Sequence, residues 1–265
     1  MRRPVAVLLL AVCATPAFAA VKTRALEWKV GEEVFSGVLV YDDVNAIKRP
    51  GLVMVPNWMG VTDNAIGMAK DIAGDDYVVL VADVYGKDVR PKDKTEAKAA
   101  VGKAYADGGA TLRKRVDAAV EALKADKSAP VATAKIGALG FCFGGSAALE
   151  LARTGANLAG VVSFHGGLKS HLPSNGVKVN TPVLVLNGAA DKSVPQEDIV
   201  AFEKEMNEAG ADWQFVNYSG AVHCFSQIED ADAPVGDNCR YDARAAKRSF
   251  AAMRAFFVER FGRQD

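Results

Sequence analysis

Between an apolar run, Ile136 to Leu139, and a helical one, Ala147 to Thr154, stands the segment Gly140-Phe141-Cys142-Phe143-Gly144-Gly145. A strand that passes into a helix within so few residues must turn sharply. Small residues flank such a turn because its backbone is strained and a neighbouring element passes close by. The Gly-x-Cys-x-Gly pattern therefore describes a strand, an elbow and a helix, with a thiol at the apex. The N–H of Phe143 then lies at the helix start, where it can stabilise a developing oxyanion. Taken alone, the hexapeptide also fits a glycine-rich turn around a structural cysteine.

The rest of the chain alternates in the same way. Ala25 to Val30 and Val34 to Val40 alternate apolar and polar residues, as two strands joined by a turn at Gly31 to Glu33. Gly51 to Val55 is a short apolar run ended by Pro56, as a buried parallel strand would be. Thr62, Asp63 or Asn64 can cap a helix running to about Ala73. Tyr77 to Ala82, Leu158 to Phe164, Pro182 to Leu186 and Trp213 to Tyr218 read as further strands. Residues 93–125 read as helix broken at Asp107-Gly108-Gly109; Gln196 to Ala209 and about Tyr241 to Phe261 are also helical. Strands alternating with helices imply right-handed crossovers and a parallel sheet covered on both faces. The chain has no linker, repeat or low-complexity tract, so residues 20–265 are expected to form one α/β domain. A content of 50% hydrophobic and 24% charged residues excludes a mostly disordered chain. A net charge of zero argues against nucleic acid as the main partner.

Residues 1–19 have the layout of a secretory signal. Met1-Arg2-Arg3 is basic, Val5 to Cys13 is apolar, and Ala17-Phe18-Ala19 is a small-x-small site. The expectation is cleavage after about Ala19 and export, to a bacterial periplasm, with no membrane association afterwards. Cleavage would leave Cys142, Cys224 and Cys239. Three cysteines in an oxidising compartment mean one pair and one free thiol, or three thiols.

An acid and a base follow the elbow in order. Asp191 lies just beyond the strand Val183 to Gly188, and His223 lies in the loop after the strand Phe215 to Tyr218. Nucleophile, acid and base, each after a strand, is the chain order of α/β-hydrolases. The C-terminal ends of parallel strands share one edge, so Cys142, Asp191 and His223 can meet. His165 and His171 compete for the role of base. His165 is expected to be a structural partner near the site, and His171 to lie in a surface loop.

With these residues in place the sequence resembles the dienelactone hydrolase family. Gly140 to Gly145, Asn187-Gly188-x-x-Asp191 and His223-x-Phe225 carry the resemblance, together with Ala82-Asp83-Val84-Tyr85-Gly86 and Tyr241-Asp242-Ala243. The resemblance implies a single α/β-hydrolase domain, with a mostly parallel sheet of about eight strands and helices on both faces. It implies a Cys-His-Asp triad without metal or organic cofactor. The reaction would be hydrolysis of a small ester or lactone through an acyl-thioester on Cys142. The best-known members carry a glutamate where this chain has Asn57, and arginines that hold a carboxylate where it has Lys87 and Gln227. The N–H groups of Phe143 and Trp58 are expected to receive the oxyanion. Trp58, Tyr85 and Phe225 are expected to line an apolar pocket, with Lys87 meeting an anionic group.

Cys224 and Cys239 fall in one late loop, either as a disulfide that fixes His223 or as two thiols. Two other functional classes fit part of the pattern: a thiol redox or sensor protein built on Cys142, and a non-catalytic ligand-binding member of the fold. A monomer and a dimer are both compatible with the sequence.

Overall fold

The computed structural model describes residues 21–44, 47–170, 172 and 176–262. The signal segment and His171 lie outside the described residues. In chain order the elements are β1 (Val21–Val30), β2 (Glu33–Asp42), β3 (Arg49–Val55), α1 (Asp63–Ala73), β4 (Val78–Val81), α2 (Lys94–Ala104) and α3 (Ala110–Ala125). Then come β5 (Val131–Phe141), α4 (Phe143–Ala152), β6 (Val161–Phe164), β7 (Val183–Gly188), α5 (Gln196–Glu208), β8 (Trp213–Tyr218) and α6 (Ala243–Phe261). The strands form one sheet in the order β1-β2-β4-β3-β5-β6-β7-β8. β1 and β2 are antiparallel, and the other six are mutually parallel. This is an α/β-hydrolase sheet.

Strand periodicity divides the core in two. Val53 and Val55 of β3 face one layer, with Leu112 and Val116 of α3, Ala147 and Leu151 of α4 and Ile199 of α5. Leu52 and Met54 face the other, with Ala69 and Ile72 of α1 and Met253 and Phe257 of α6. Both faces are apolar because both are covered, which is why the central strands read as continuous apolar runs. Thr62 caps α1 through its side chain, accepting from the Ala65 N–H, and Asp242 does the same for α6. Among the described residues, no helix is long and apolar enough to cross a membrane.

Several boundaries differ from the sequence reading. β1 begins at Val21 and pairs with β2 along its whole length. β5 begins at Val131 rather than Ile136, because its pairing with β3 shifts register between Pro50 and Gly51 and takes in the polar stretch Thr133 to Lys135. β6 begins at Val161; Leu158 instead donates its N–H to Thr181 Oγ1. α4 begins at Phe143, four residues before the expected start, so Gly144 and Gly145 are helical.

Candidate active site

Three strand ends bring the site together. Cys142 follows β5 directly, Asp191 lies three residues beyond β7, and His223 five beyond β8. Cys142 has φ +54° and ψ −119°, a conformation that costs a non-glycine residue about 1–3 kcal/mol and is held only by surrounding structure. That structure is visible. The Cys142 N–H is shared between the Phe164 carbonyl, at 3.0 Å, and His165 Nδ1, at 3.2 Å. A side chain on Gly140 would lie 2.0 Å from the Gly144 oxygen. One on Gly144 would lie 2.0 Å from the Val55 oxygen and 2.4 Å from that of Pro56. The elbow therefore presses its own helix turn against the end of β3.

His223 Nε2 lies 3.0 Å from Cys142 Sγ, and its Nδ1 lies 2.7 Å from Asp191 Oδ2. Asp191 is buried, and its second oxygen accepts from the Ser193 N–H (2.7 Å) and Asn238 Nδ2 (3.1 Å). Burial works against its charge, but these bonds and that to His223 hold its carboxyl below the ordinary value. For His223, burial also disfavours charge. Hydrogen bonds to Asp191 and Cys142 outweigh it and raise the imidazole to about 10. The ring is thus a strong proton acceptor aimed at the sulfur.

His165 is fully buried and makes a different use of its ring. Its Nδ1 accepts from Cys142, so its Nε2 carries the proton and donates to Ser226 Oγ at 2.8 Å. Burial, and next the nearby charge of His223, hold it well below the ordinary imidazole value. It is a neutral strut beneath the elbow. Nothing in the sequence marks Ser226 as its partner.

The N–H of Phe143 is the first of α4 and lies outside the helical ladder. Trp58 lies in a loop shaped by Asn57, whose Oδ1 accepts from the Met59 N–H at 3.0 Å. Tyr85 donates its hydroxyl to the Trp58 carbonyl at 3.0 Å and stacks on Phe143, with ring centres 5.5 Å apart. Burial raises its phenol, so it remains a donor.

A cavity of about 400 Å³ opens beside Cys142 and His223. Of the aromatic residues expected to line it, Trp58 alone borders it, joined there by Phe143. Tyr85 is buried beneath it and supports the Trp58 peptide from below. Phe225 is a core residue, fully buried and edge-on to His165 at 5.1 Å. Gln227 is buried, with its Nε2 on Asp230 Oδ2 at 3.0 Å. Asn57 points its amide at Glu229 Oε1, 3.4 Å away. Lys87 is exposed, pairs with Glu27 of β1 at 2.7 Å and does not border the cavity. The cavity wall instead uses Val101, Tyr105, Leu168, Lys169 and Asp198. Val101 and Tyr105 have ordinary helix spacing, which carries no signal of a site. A larger cleft, of about 680 Å³, lies between α1 and α6 and touches none of Cys142, Asp191 and His223. Size does not choose between the two; the nucleophile–base contact does.

Cys224 and Cys239 form a disulfide, leaving Cys142 as the free cysteine among the described residues. The bond ties both partners of the thiol into one segment. Arg240 donates its N–H to the His223 carbonyl at 2.9 Å, and Asn238 holds Asp191. A loop spanning 15 positions is worth about 3 kcal/mol in the chain-entropy model. Replacing both cysteines with serine is therefore expected to lower thermal stability and to reduce kcat more than it changes KM. Unchanged melting and unchanged kcat would show that the disulfide supports neither.

Known proteins resemble this chain in sequence and in fold. Residues 35–261 match the model of the dienelactone hydrolase family. An uncharacterised protein of Caenorhabditis elegans is 38% identical over 162 residues, covering 58% of this chain and 98% of its own. A Bradyrhizobium protein named a probable 2-oxo-3-(5-oxofuran-2-ylidene)propanoate lactonase is 28% identical, over 71% of this chain and 78% of its own. Among solved structures, P91 from metagenomic libraries is described as a dienelactone hydrolase-like promiscuous phosphotriesterase. It is 34% identical, covers 92% of this chain and 100% of its own, and superposes with a TM-score of 0.84.

Proposed function

Because the chain belongs to the dienelactone hydrolase family and is an ester or lactone hydrolase, we propose that Cys142, His223 and Asp191 are its catalytic triad. The observation that carries the proposal is the relay from Sγ to Nε2 at 3.0 Å and from Nδ1 to Asp191 at 2.7 Å. An unassisted thiol is only a few per cent ionised near neutral pH. His223 takes the thiol proton, and the resulting thiolate attacks the carbonyl carbon. The oxygen becomes an oxyanion received by the N–H groups of Phe143 and Trp58; one such donor is typically worth about 3 kcal/mol. When the tetrahedral centre collapses, the C–O bond breaks and His223 returns its proton to the leaving alkoxide. Water then gives a proton to His223 and attacks the thioester, releasing the acid and restoring the thiol. His165 and Tyr85 act as positioning residues, through the elbow N–H and the Trp58 peptide.

A hydrolysis panel tests the proposal: p-nitrophenyl acetate and butyrate, an aliphatic lactone and a dienelactone, with wild type beside Cys142→Ala. Turnover that disappears in the variant is the expected result. Turnover that survives would remove Cys142 from the mechanism.

A second activity, phosphotriester cleavage, is favoured by the likeness to P91. Donors arranged for a carbonyl oxyanion can also receive a phosphoryl oxygen, so paraoxon belongs in the same panel. A thiol-exchange role is less well supported, since the other described cysteines are already bonded to each other. Export through residues 1–19 is proposed from the sequence alone.

A further inference from the structure

Given the hydrolase proposed above, we infer that its cavity selects electrically neutral esters and discriminates against substrates that carry a carboxylate. Much of the wall is aromatic or aliphatic, from Trp58, Val101, Tyr105, Phe143 and Leu168, and its neutral polar side chains are the hydroxyls of Ser146 and Ser193 besides the Tyr105 phenol. Apart from the His223 imidazole, the basic side chain bordering the cavity among the described residues is Lys169, and it already pairs with an acid. Its Nζ lies 2.9 Å from Asp198 Oδ1, and Asp198 borders the same cavity. Asp198 is largely buried at 13% side-chain exposure, whereas Lys169 is 71% exposed. The fixed member of the pair is therefore the negative one. A carboxylate reaching Lys169 would have to share its ammonium with Asp198 and lie beside that second negative charge.

Four cations farther from the cavity are also paired with acids. Arg113 and Arg153 pair with Glu150 of α4, and Arg153 also with Glu205. Arg90 pairs with Asp83, and Lys87 with Glu27. None of these four borders the cavity. The bidentate arginine fork that recognises carboxylates is thus missing from its described wall. A charge moved from water to such a wall without a partner is costly, whereas an apolar group gains from burial. The Bradyrhizobium relative is named for a propanoate, an anion. The two proteins should therefore divide by substrate charge.

The test uses matched pairs: methyl phenyl adipate against monophenyl adipate, and 4-(methoxycarbonyl)phenyl butyrate against 4-carboxyphenyl butyrate. Each pair differs by one carboxylate, at the acyl end or the leaving-group end. Wild type is expected to favour the neutral member by about tenfold or more in kcat/KM, a difference of about 1.4 kcal/mol. Asp198→Asn removes the competing carboxylate and frees Lys169, so it should narrow the ratio by improving the anionic member. Binding of the same pairs to Cys142→Ala, by calorimetry, reads the preference without turnover. Tighter binding of neutral members supports the inference even if no ester is cleaved, in which case it is the hydrolase proposal that fails. Equal or better binding and turnover of the anionic members, or a ratio that Asp198→Asn does not move, would overturn it.

Discussion

Gly144→Ala is expected to lose more than about 4 kcal/mol of stability and with it all turnover, an exceptional effect for one methyl group. The added carbon would lie 2.0 Å from the Val55 carbonyl oxygen and 2.4 Å from that of Pro56. Both obstacles are backbone at the end of a central strand, so neither can rotate aside. Relief would require separating α4 from β3, which breaks the core layer containing Val55 and Ala147. Gly67→Ala is the control. It lies within α1, and nothing stands within 4 Å of the added carbon. That variant should gain up to about 1 kcal/mol from helix propensity. Denaturant midpoints of the two variants give the comparison, and a Gly144→Ala midpoint near wild type would contradict the packing described for the elbow.

His223→Ala is expected to reduce kcat by ~10²–10⁴-fold while leaving the fold intact, since general acid–base help has that size. Asp191→Asn should act through the imidazole. Asp191 is among the groups that raise the proton affinity of His223. Losing its charge lowers that affinity, so His223 gives up its proton at lower pH. The leaving alkoxide needs that proton. The alkaline limb of the kcat profile should therefore move to lower pH in Asp191→Asn. A profile that falls in height without moving would assign Asp191 a purely structural role.

The candidate site was legible where local chemistry is tied to strand ends. The elbow needs glycine on both sides of the thiol, and an acid and a histidine that each follow an apolar strand can be read without coordinates. Gly144 and Gly145 read as a turn, yet they are helical; glycine is required there by the approach of Val55 and Ser163, a contact distant in sequence. Aromatic residues carried no such label. Phe225 and Trp58 look alike in sequence, but one is packed against His165 and the other borders the cavity. Lys87 was assigned an anionic partner in the substrate and has one in Glu27, supplied by an edge strand far from it in sequence. Asn238, Ser226 and Asp198 act through tertiary contacts alone, and neither spacing nor composition distinguishes them from surface polar residues.

The most direct measurement is rapid acid quenching of wild type during turnover of p-nitrophenyl acetate, followed by peptide mass analysis. An acetyl group on the Cys142 peptide, removed by hydroxylamine and missing from Cys142→Ala, is the expected result. Sustained turnover with no acyl group on Cys142, or with the acyl group on Ser146 instead, would contradict the mechanism.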